Sequence, residues 1–150
     1  MVLSFPLVRY TERAPQPVAK TPSRAEVRNF VEAFYADVRA DAELGPIFER
    51  VVAARGWDAH FETMTDFWQA VAFDGPPFRG NPMIKHAQIR DIAPAQFARW
   101  LTIFEKTCRR CWPQETTDLL IERGRRMAPA LVRAIDRARE KAMVRRDDMH

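Results

Sequence analysis

A helix breaker between two histidines is the feature that most constrains the fold of this chain. Upstream of it, His60, Met64 and Trp68 are spaced i, i+4 and i+8, so a helix would place all three on one face. The breaker has the sequence DGPPFRGNP, and its three prolines and two glycines exclude a continuous helix. His86 follows, 26 residues after His60. Two helices joined by such a bend can hold a flat cofactor with one imidazole on each side.

Helical periodicity continues through the rest of the chain, and no strand pattern is visible. Ser23 and Glu26 have the spacing of a capping box, and the apolar stripe of RAEVRNFVEAFYADVRAD behind them is wide enough to predict deep burial. LGPIFERVV is predicted to form a turn at Gly45-Pro46 that leads into a short helix. Further helices are predicted for residues 57–73, for a short segment around His86, for residues 94–112 and for residues 115–146. Gly124 and Pro129 predict a bend in the last helix. The predicted fold class is therefore all-α.

Proline content separates an arm from a single domain. Residues 1–22 contain four prolines and little periodicity, which predicts an extended arm, and residues 23–150 are long enough to form one domain with its own core. No apolar run approaches the roughly 18–20 residues that cross a bilayer. The N-terminal VLSFPLV is broken by Pro6 and has no basic residues before it, so we predict no signal peptide and expect a cytoplasmic protein.

The two cysteines, Cys108 and Cys111, form the sequence CRRC within a predicted helix. Covalent attachment of a c-type haem requires CxxCH, and Trp112 stands where that histidine would be. A thioredoxin-like site would lie near a βαβ pattern, and a structural zinc site would need about two further ligands. We therefore expect buried, reduced cysteines without a chemical role.

The remaining polar residues of the apolar segments suit a haem pocket. Haem iron needs one strong protein ligand, and the neutral imidazole of His86 can supply it. A diatomic ligand bound to iron gains partial negative charge at its outer atom, and O–H or N–H groups of Tyr35, His60 and Trp100 could stabilise that charge. Met64 and Phe34 would provide apolar wall. A histidine, tyrosine or tryptophan on an apolar face is, taken singly, more often structural, so the prediction depends on their convergence.

These residues resemble those of the truncated haemoglobins, specifically group III. The resemblance is carried by FYADVRADAELGPIF, WDAHFETMTDFWQAV, FRGNPMIKHAQI and FARWLTIF, in this order, and it covers roughly residues 27–107. It implies a globin-like, truncated two-over-two helical sandwich. It also implies that His86 is the proximal iron ligand. The distal pocket and the aromatics that pack against haem would be formed by Tyr35, His60, Met64 and Trp100, and by Trp68 and Phe34.

The resemblance implies haem b (iron protoporphyrin IX) as the cofactor and iron as the metal. Arg79, Lys85 and Arg90 flank the ligand segment and could pair with the haem propionates, although a surface position alone would explain them. Phe78 departs from the pattern, because relatives often carry tyrosine there, and this removes a hydrogen bond near the haem edge. The N-terminal arm and the arginine-rich last helix have no counterpart in the resemblance.

The leading functional hypothesis is binding of O₂ or another diatomic gas, with redox chemistry on the bound ligand. Three hydrogen-bond donors around a ligand slow its release, which disfavours simple oxygen transport and favours NO dioxygenation or peroxidase-like chemistry. Such chemistry would require a reductase as partner. We expect no membrane partner.

Two alternatives remain open on the sequence alone. Residues 123–146 contain nine Lys or Arg against two acidic residues, which could bind nucleic acid, but a charge run on a helix is usually a solvated face. The second alternative is a haem-free helical scaffold whose pocket has degenerated.

Overall fold

The computed structural model describes residues 21–80 and 92–149. This part of the chain contains helices and no strand, which confirms the predicted all-α class. The helices, in chain order, are α1 (Arg24–Ala40), α2 (Leu44–Val52), α3 (Trp57–Ala72), α4 (Pro94–Cys111) and α5 (Gln114–Asp148). The short helix predicted around His86 lies outside the described residues. The boundary between an arm at residues 1–22 and a domain at 23–150 stays a prediction.

Local capping explains where the helices begin. Ser23 Oγ accepts from the backbone N–H of Glu26 at 3.1 Å, and Glu26 Oε1 accepts from the backbone N–H of Ser23 at 3.2 Å, so the predicted capping box is present. At the start of α4, Pro94 occupies the first turn, where its missing N–H has no intrahelical partner to lose. The amphipathic pattern then decides which face of each helix is buried.

The corner between α1 and α2 is held by Asp41. Its carboxylate accepts from the backbone N–H groups of Glu43 and Leu44 at 3.1 and 2.9 Å, and from Arg99 Nε of α4 at 2.7 Å. The hydrogen bond from Arg99, followed by those from the two backbone groups, lowers the pKa of Asp41 to about 2. This carboxylate therefore ties the first two helices to α4.

Ion pairs orient α3 against α1. Arg24 pairs with Glu62 and Asp66, both at 2.7 Å, and Arg28 pairs with Asp58 at 2.6 Å and also with Glu62. These three acids are spaced by four residues along α3. Each stands two positions before one of His60, Met64 and Trp68, and two positions correspond to about 200° around the helix. The acids occupy the outer face of α3, so the opposite face is directed inward.

The helices pack as two pairs. α1 packs on α3 and α4 packs on α5, and the first pair contacts the second through α1 on α4 and α3 on α5, which is the predicted two-over-two arrangement. The six apolar residues predicted to be buried in α1 are all buried; they are Val27, Phe30, Val31, Phe34, Tyr35 and Val38. The wide stripe of α1 is explained by its contacts with three other helices.

The buried apolar residues form two separate clusters. The larger cluster is built around α1 and includes Tyr35, Trp68 and Phe104. The smaller one joins Ile92 and Phe97 to the middle of α5, where Ala128, Leu131 and Ile135 are buried. Met127 packs against both clusters. The division of the core leaves room between the two clusters.

Two details differ from the sequence-based expectations. α2 begins at Leu44 and includes Gly45 and Pro46, where a turn was predicted, because proline is tolerated in the first turn of a helix. The bend predicted at Gly124 and Pro129 of α5 stays a prediction. Cys108 is buried as expected, but Cys111, three residues further along the last turn of α4, is exposed. Both cysteines are free. Burial raises the pKa of the Cys108 thiol to about 12, so this thiol stays protonated at neutral pH.

Among the described residues, no helix combines the length and the hydrophobicity needed to cross a lipid bilayer.

Close contact between α4 and α5 at Gly124 gives a stability prediction. A Cβ atom at this position would lie 3.2 Å from Phe104 Cε2 and 3.3 Å from Leu101 Cδ1. We expect Gly124→Val to push the two helices apart and to lower the free energy of unfolding by about 1–3 kcal/mol. Urea unfolding followed by circular dichroism measures the change. Ala138→Val, at an exposed position of the same helix, is the matched control, and equal stability of the two variants would contradict the prediction.

Candidate functional site

A cavity of about 850 Å³, part of it open to solvent, lies between the two apolar clusters. All five helices contribute to its lining. The apolar lining residues are Leu44, Ile47, Phe48, Met64, Phe67, Trp68, Ile92, Phe97, Met127, Ala128 and Leu131. The cavity therefore offers a mainly apolar slot to a flat, hydrophobic molecule.

Tyr35 and His60 meet at the wall formed by the larger cluster. Both line the cavity, and their ring centroids are 4.7 Å apart with the planes at 76°. Only 3% of Tyr35 is exposed, and burial raises its pKa far above the ordinary value of 10.0. The phenol is therefore protonated at neutral pH and is an O–H donor. The Nε2 atom of His60 is also buried.

Trp100 approaches the cavity from α4. Its indole stacks on Phe104, with centroids 5.0 Å apart and planes at 6°, and the edge of Phe34 meets it at 5.3 Å. Phe34 itself does not line the cavity among the described residues, although the sequence suggested that it forms the wall. It lies one layer behind, in contact with Tyr35 at 4.9 Å. Phe34 thus connects the two donors on α1 and α4.

Met64 and Trp68 continue the inner face of α3 beyond His60, and both line the cavity. Trp68 is only 1% exposed and also stacks on Phe104, with ring centroids 4.8 Å apart and planes at 16°. The i, i+4, i+8 spacing noted in the sequence therefore brings His60, Met64 and Trp68 to the same cavity. Their roles toward a cofactor stay predictions.

Gln96 is a polar lining residue that sequence reasoning missed. Its side-chain oxygen accepts from the backbone N–H of Ala93 at 3.0 Å, and its Nε2 donates to Glu43 Oε1 at 2.9 Å. These bonds link the start of α4 to the corner before α2. Gln96 stands three residues after Ala93, the residue before Pro94, and this spacing indicated a helix cap. Nothing in the sequence indicated that Gln96 also lines a cavity.

The other missed residues are apolar and come from α2 and α5. Leu44, Ile47 and Phe48 were assigned to a connecting helix, and Met127 and Leu131 to a buried helix face. Periodicity predicted that such side chains are buried, but it carries no signal that distinguishes contact with a cavity from contact with a packed core.

Several predicted site residues cannot be placed in this geometry. His86, Lys85 and Arg90 lie outside the described residues, so the proposed iron ligand and two of the propionate partners stay predictions. Arg79 is described and is exposed on the segment that follows α3. An exposed arginine at this place is compatible with either a propionate contact or a solvated surface.

The lining fits the group that the sequence suggested. A porphyrin needs an apolar slot with aromatic and aliphatic walls, and a diatomic ligand on its iron needs donors on one side. Tyr35 and Trp100 belong to the larger cluster, and His60 contacts Tyr35, so the three donors share one wall. Among the described residues, the smaller cluster contributes apolar side chains to the lining, from Ile92, Phe97 and residues of α5.

Comparison with known proteins agrees with this geometry. A model of the bacterial-like globin family matches residues 22–133. A group 3 truncated haemoglobin of Campylobacter jejuni subsp. jejuni serotype O:2 is 25% identical over 111 residues, which are 73% of this chain and 87% of that protein. The crystal structure of the group III truncated haemoglobin from Campylobacter jejuni superposes with a TM-score of 0.71 at 24% identity, over 78% of this chain and 94% of that one. The structural likeness shows the fold.

The burial of Tyr35 predicts a late tyrosine titration. Because the folded-state pKa is raised, its contribution to stability is fully present below the unfolded pKa of about 10 and is lost as the pH rises further. We expect ultraviolet titration to show one tyrosine that ionises only with alkaline unfolding. This phase should be absent in Tyr35→Phe and present in Tyr10→Phe, which alters the other of the two tyrosines. Retention of the late phase in Tyr35→Phe would show that Tyr35 is not the protonated, buried group.

Proposed function

The chain belongs to the bacterial-like globin family, and we propose that it is a haem protein that binds O₂ or another diatomic gas at an iron held by His86. The observation that carries the proposal is the cavity between the two clusters, which has mainly apolar walls and three donors in its lining. Haem-based binding of diatomic ligands is the property that family membership implies. The identity of the iron ligand and the chemistry of the bound ligand are the parts that we propose.

Non-covalent haem b is the proposed cofactor. Cys108 and Cys111 do not line the cavity among the described residues, and Trp112 replaces the histidine of a c-type attachment sequence. The porphyrin would then be held without a covalent bond to a cysteine, by the ligand bond from His86 and by burial against apolar walls that include the rings of Trp68 and Phe97. Arg79, Lys85 and Arg90 are proposed to pair with its propionates at the solvent edge.

The donors decide what happens to a bound gas. A diatomic ligand on a haem iron held here would carry partial negative charge on its outer atom. Tyr35 donates its O–H because burial keeps the phenol neutral, His60 can donate a ring N–H, and Trp100 can donate Nε1–H. Such donors stabilise the charge strongly in a dry, apolar cavity and slow the departure of the ligand.

Slow release favours turnover of the ligand over delivery. NO dioxygenation joins the two gases and one electron, NO + O₂ + e⁻ → NO₃⁻, so it consumes an electron in each cycle and needs a reductase as donor. Peroxidase-like chemistry is the second redox reaction that we consider: a peroxide takes two electrons from a reducing substrate and two protons, H₂O₂ + 2e⁻ + 2H⁺ → 2H₂O, and His60 could move a proton between its two oxygen atoms. We propose one of these reactions, rather than oxygen transport, as the activity, and the expected cytoplasmic location stays a prediction.

Nucleic-acid binding through α5 is not proposed. Among the nine basic residues between positions 123 and 146, three near the start of the stretch are already paired. Arg125 pairs with Glu105 at 2.8 Å, and Arg126 and Arg123 both pair with Glu122. Paired arginines have less charge to offer to phosphates, so the basic stretch has no continuous free face over this part of the helix.

Haem retention tests the proposed iron ligand. The purified protein, supplemented with haemin, should be red and show a Soret band, and His86→Ala should lose the band because the proposed iron ligand is gone. His60→Ala is the matched control, and it should retain haem while its ligand-binding rates change. Normal haem retention in His86→Ala would exclude the assignment, and a colourless parent protein would support the scaffold alternative.

The rate of O₂ dissociation tests the donors. A hydrogen bond to a charged group contributes about 1.5–3 kcal/mol, so loss of one donor should raise the dissociation rate roughly ten- to hundredfold. We expect this for Tyr35→Phe and for Trp100→Leu, measured by stopped-flow displacement of O₂ with CO. A parent rate that is already fast, and that neither substitution changes, would contradict a role for these side chains in holding the ligand.

A further inference from the structure

Behind Tyr35 and His60, three residues from three helices form a closed set of contacts. Arg39 of α1 donates from Nε to Glu49 Oε1 of α2 at 2.6 Å. Trp57, the first residue of α3, donates from Nε1 to Glu49 Oε2 at 3.3 Å. The guanidinium carbon of Arg39 lies 4.4 Å from the centroid of the Trp57 ring. We call these three residues the Arg39–Glu49–Trp57 clamp.

The indole ring of the clamp touches both polar residues of the cavity wall. Its centroid is 5.9 Å from that of Tyr35, with planes at 53°, and 5.9 Å from that of His60, with planes at 88°. None of the three clamp residues lines the cavity among the described residues. Trp57 therefore contacts both donors without lining the cavity.

A ring in this place limits how the donors can turn. The side chains of Tyr35 and His60 can rotate about two torsions each, and close packing removes most alternative rotamers. Removal of the indole would leave a void directly behind both rings. Because a hydrogen bond weakens steeply with distance and misalignment, rotation into that void would reduce donation toward the cavity.

The clamp is better suited to orientation than to stability. Arg39 and Glu49 are 44% and 47% exposed, and an ion pair at that exposure contributes little to folding. The pair nevertheless fixes the Trp57 ring at two places. Arg39 stacks on its face, and Glu49 accepts from its N–H. The contacts of Trp57 with Arg39 and Glu49 form only while α1, α2 and α3 keep their relative positions. The position of the Trp57 ring beside the donors therefore depends on how these three helices pack.

We propose that Trp57 is a positioning residue for the Tyr35–His60 donor pair, and that Arg39 and Glu49 hold its ring. The inference rests on the proposed function, because the donors act on a ligand bound at haem iron. It adds a residue outside the cavity that determines how strongly that ligand is held.

The C–O stretching band of the ferrous CO complex measures donation directly, because donors near the outer oxygen lower its frequency. We expect Trp57→Ala to move the band to higher frequency and to raise the O₂ dissociation rate about tenfold. Trp57→Phe, which keeps the ring contacts and loses the N–H bond to Glu49, should show a smaller shift, as should Arg39→Met. Bands identical to that of the parent protein in Trp57→Ala and Arg39→Met would overturn the proposal.

Phe73→Ala separates positioning from simple destabilisation. Phe73 is a partly buried aromatic that packs on the same cluster and contacts Trp112 at 6.0 Å, with no ring contact to Tyr35 or His60. We expect Phe73→Ala and Trp57→Ala both to lower Tm, and only Trp57→Ala to shift the C–O band. An equal shift in both variants would mean that any loss of packing loosens the donors, which contradicts a specific role of Trp57.

A mutant cycle tests whether Trp57 acts through the donors. In the background Tyr35→Phe with His60→Ala, addition of Trp57→Ala should leave the C–O band unchanged, because the groups that it positions are gone. A shift of the original size in that background would overturn the proposal.

The haem-free protein distinguishes failure of this inference from failure of the proposed function. Nuclear Overhauser contacts between the Tyr35 and His60 rings report their orientation without haem, and absence of a Soret band is scored separately. We expect these contacts to weaken in Trp57→Ala and to persist in Phe73→Ala. Unchanged contacts in Trp57→Ala would exclude a positioning role whether or not the protein binds haem.

Discussion

The stack of three aromatic rings at the centre of the protein is the interaction on which the rest of the structure depends. Phe104 is fully buried between Trp68, at 4.8 Å, and Trp100, at 5.0 Å, with nearly parallel planes in both pairs. It also meets Phe34 edge-on and lies against Gly124 of α5. One side chain thereby joins four helices, and the two tryptophans that it supports form part of the cavity wall.

Ion pairs on the outer surface fix the orientation of α3, one of the helices that the aromatic stack joins. Arg24 and Arg28 pair with the acidic face of α3, which leaves the face with His60, Met64 and Trp68 directed toward the cavity. Exposed ion pairs stabilise a fold only weakly, so their main effect here is to select one rotation of α3 about its axis. The donor arrangement of the proposed site is a consequence of that rotation and of the ring of Trp57 behind it.

Much of the fold was predictable from local pattern. The capping box at Ser23, Pro94 at the start of α4 and the burial of the α1 stripe follow from spacing and backbone chemistry, and the structure confirms them. The turn predicted at Gly45 and Pro46 is instead the start of α2. A Gly-Pro pair is a local signal that does not distinguish a turn from the first turn of a helix, where proline is tolerated. Exposure of Cys111 was missed because it occurs in the last turn of α4, where periodicity says little.

By itself, the sequence determined most of the helices and their apolar faces, because helical periodicity depends on neighbours three and four positions away. It also showed which side chains carry donors. Only the tertiary structure decided that Phe34 supports the wall instead of forming it. It likewise decided that Gln96 and three residues of α2 line the cavity, and that Arg39, Glu49 and Trp57 meet behind the donors. Those facts depend on contacts between helices far apart in the chain, and no local spacing encodes the distance between them.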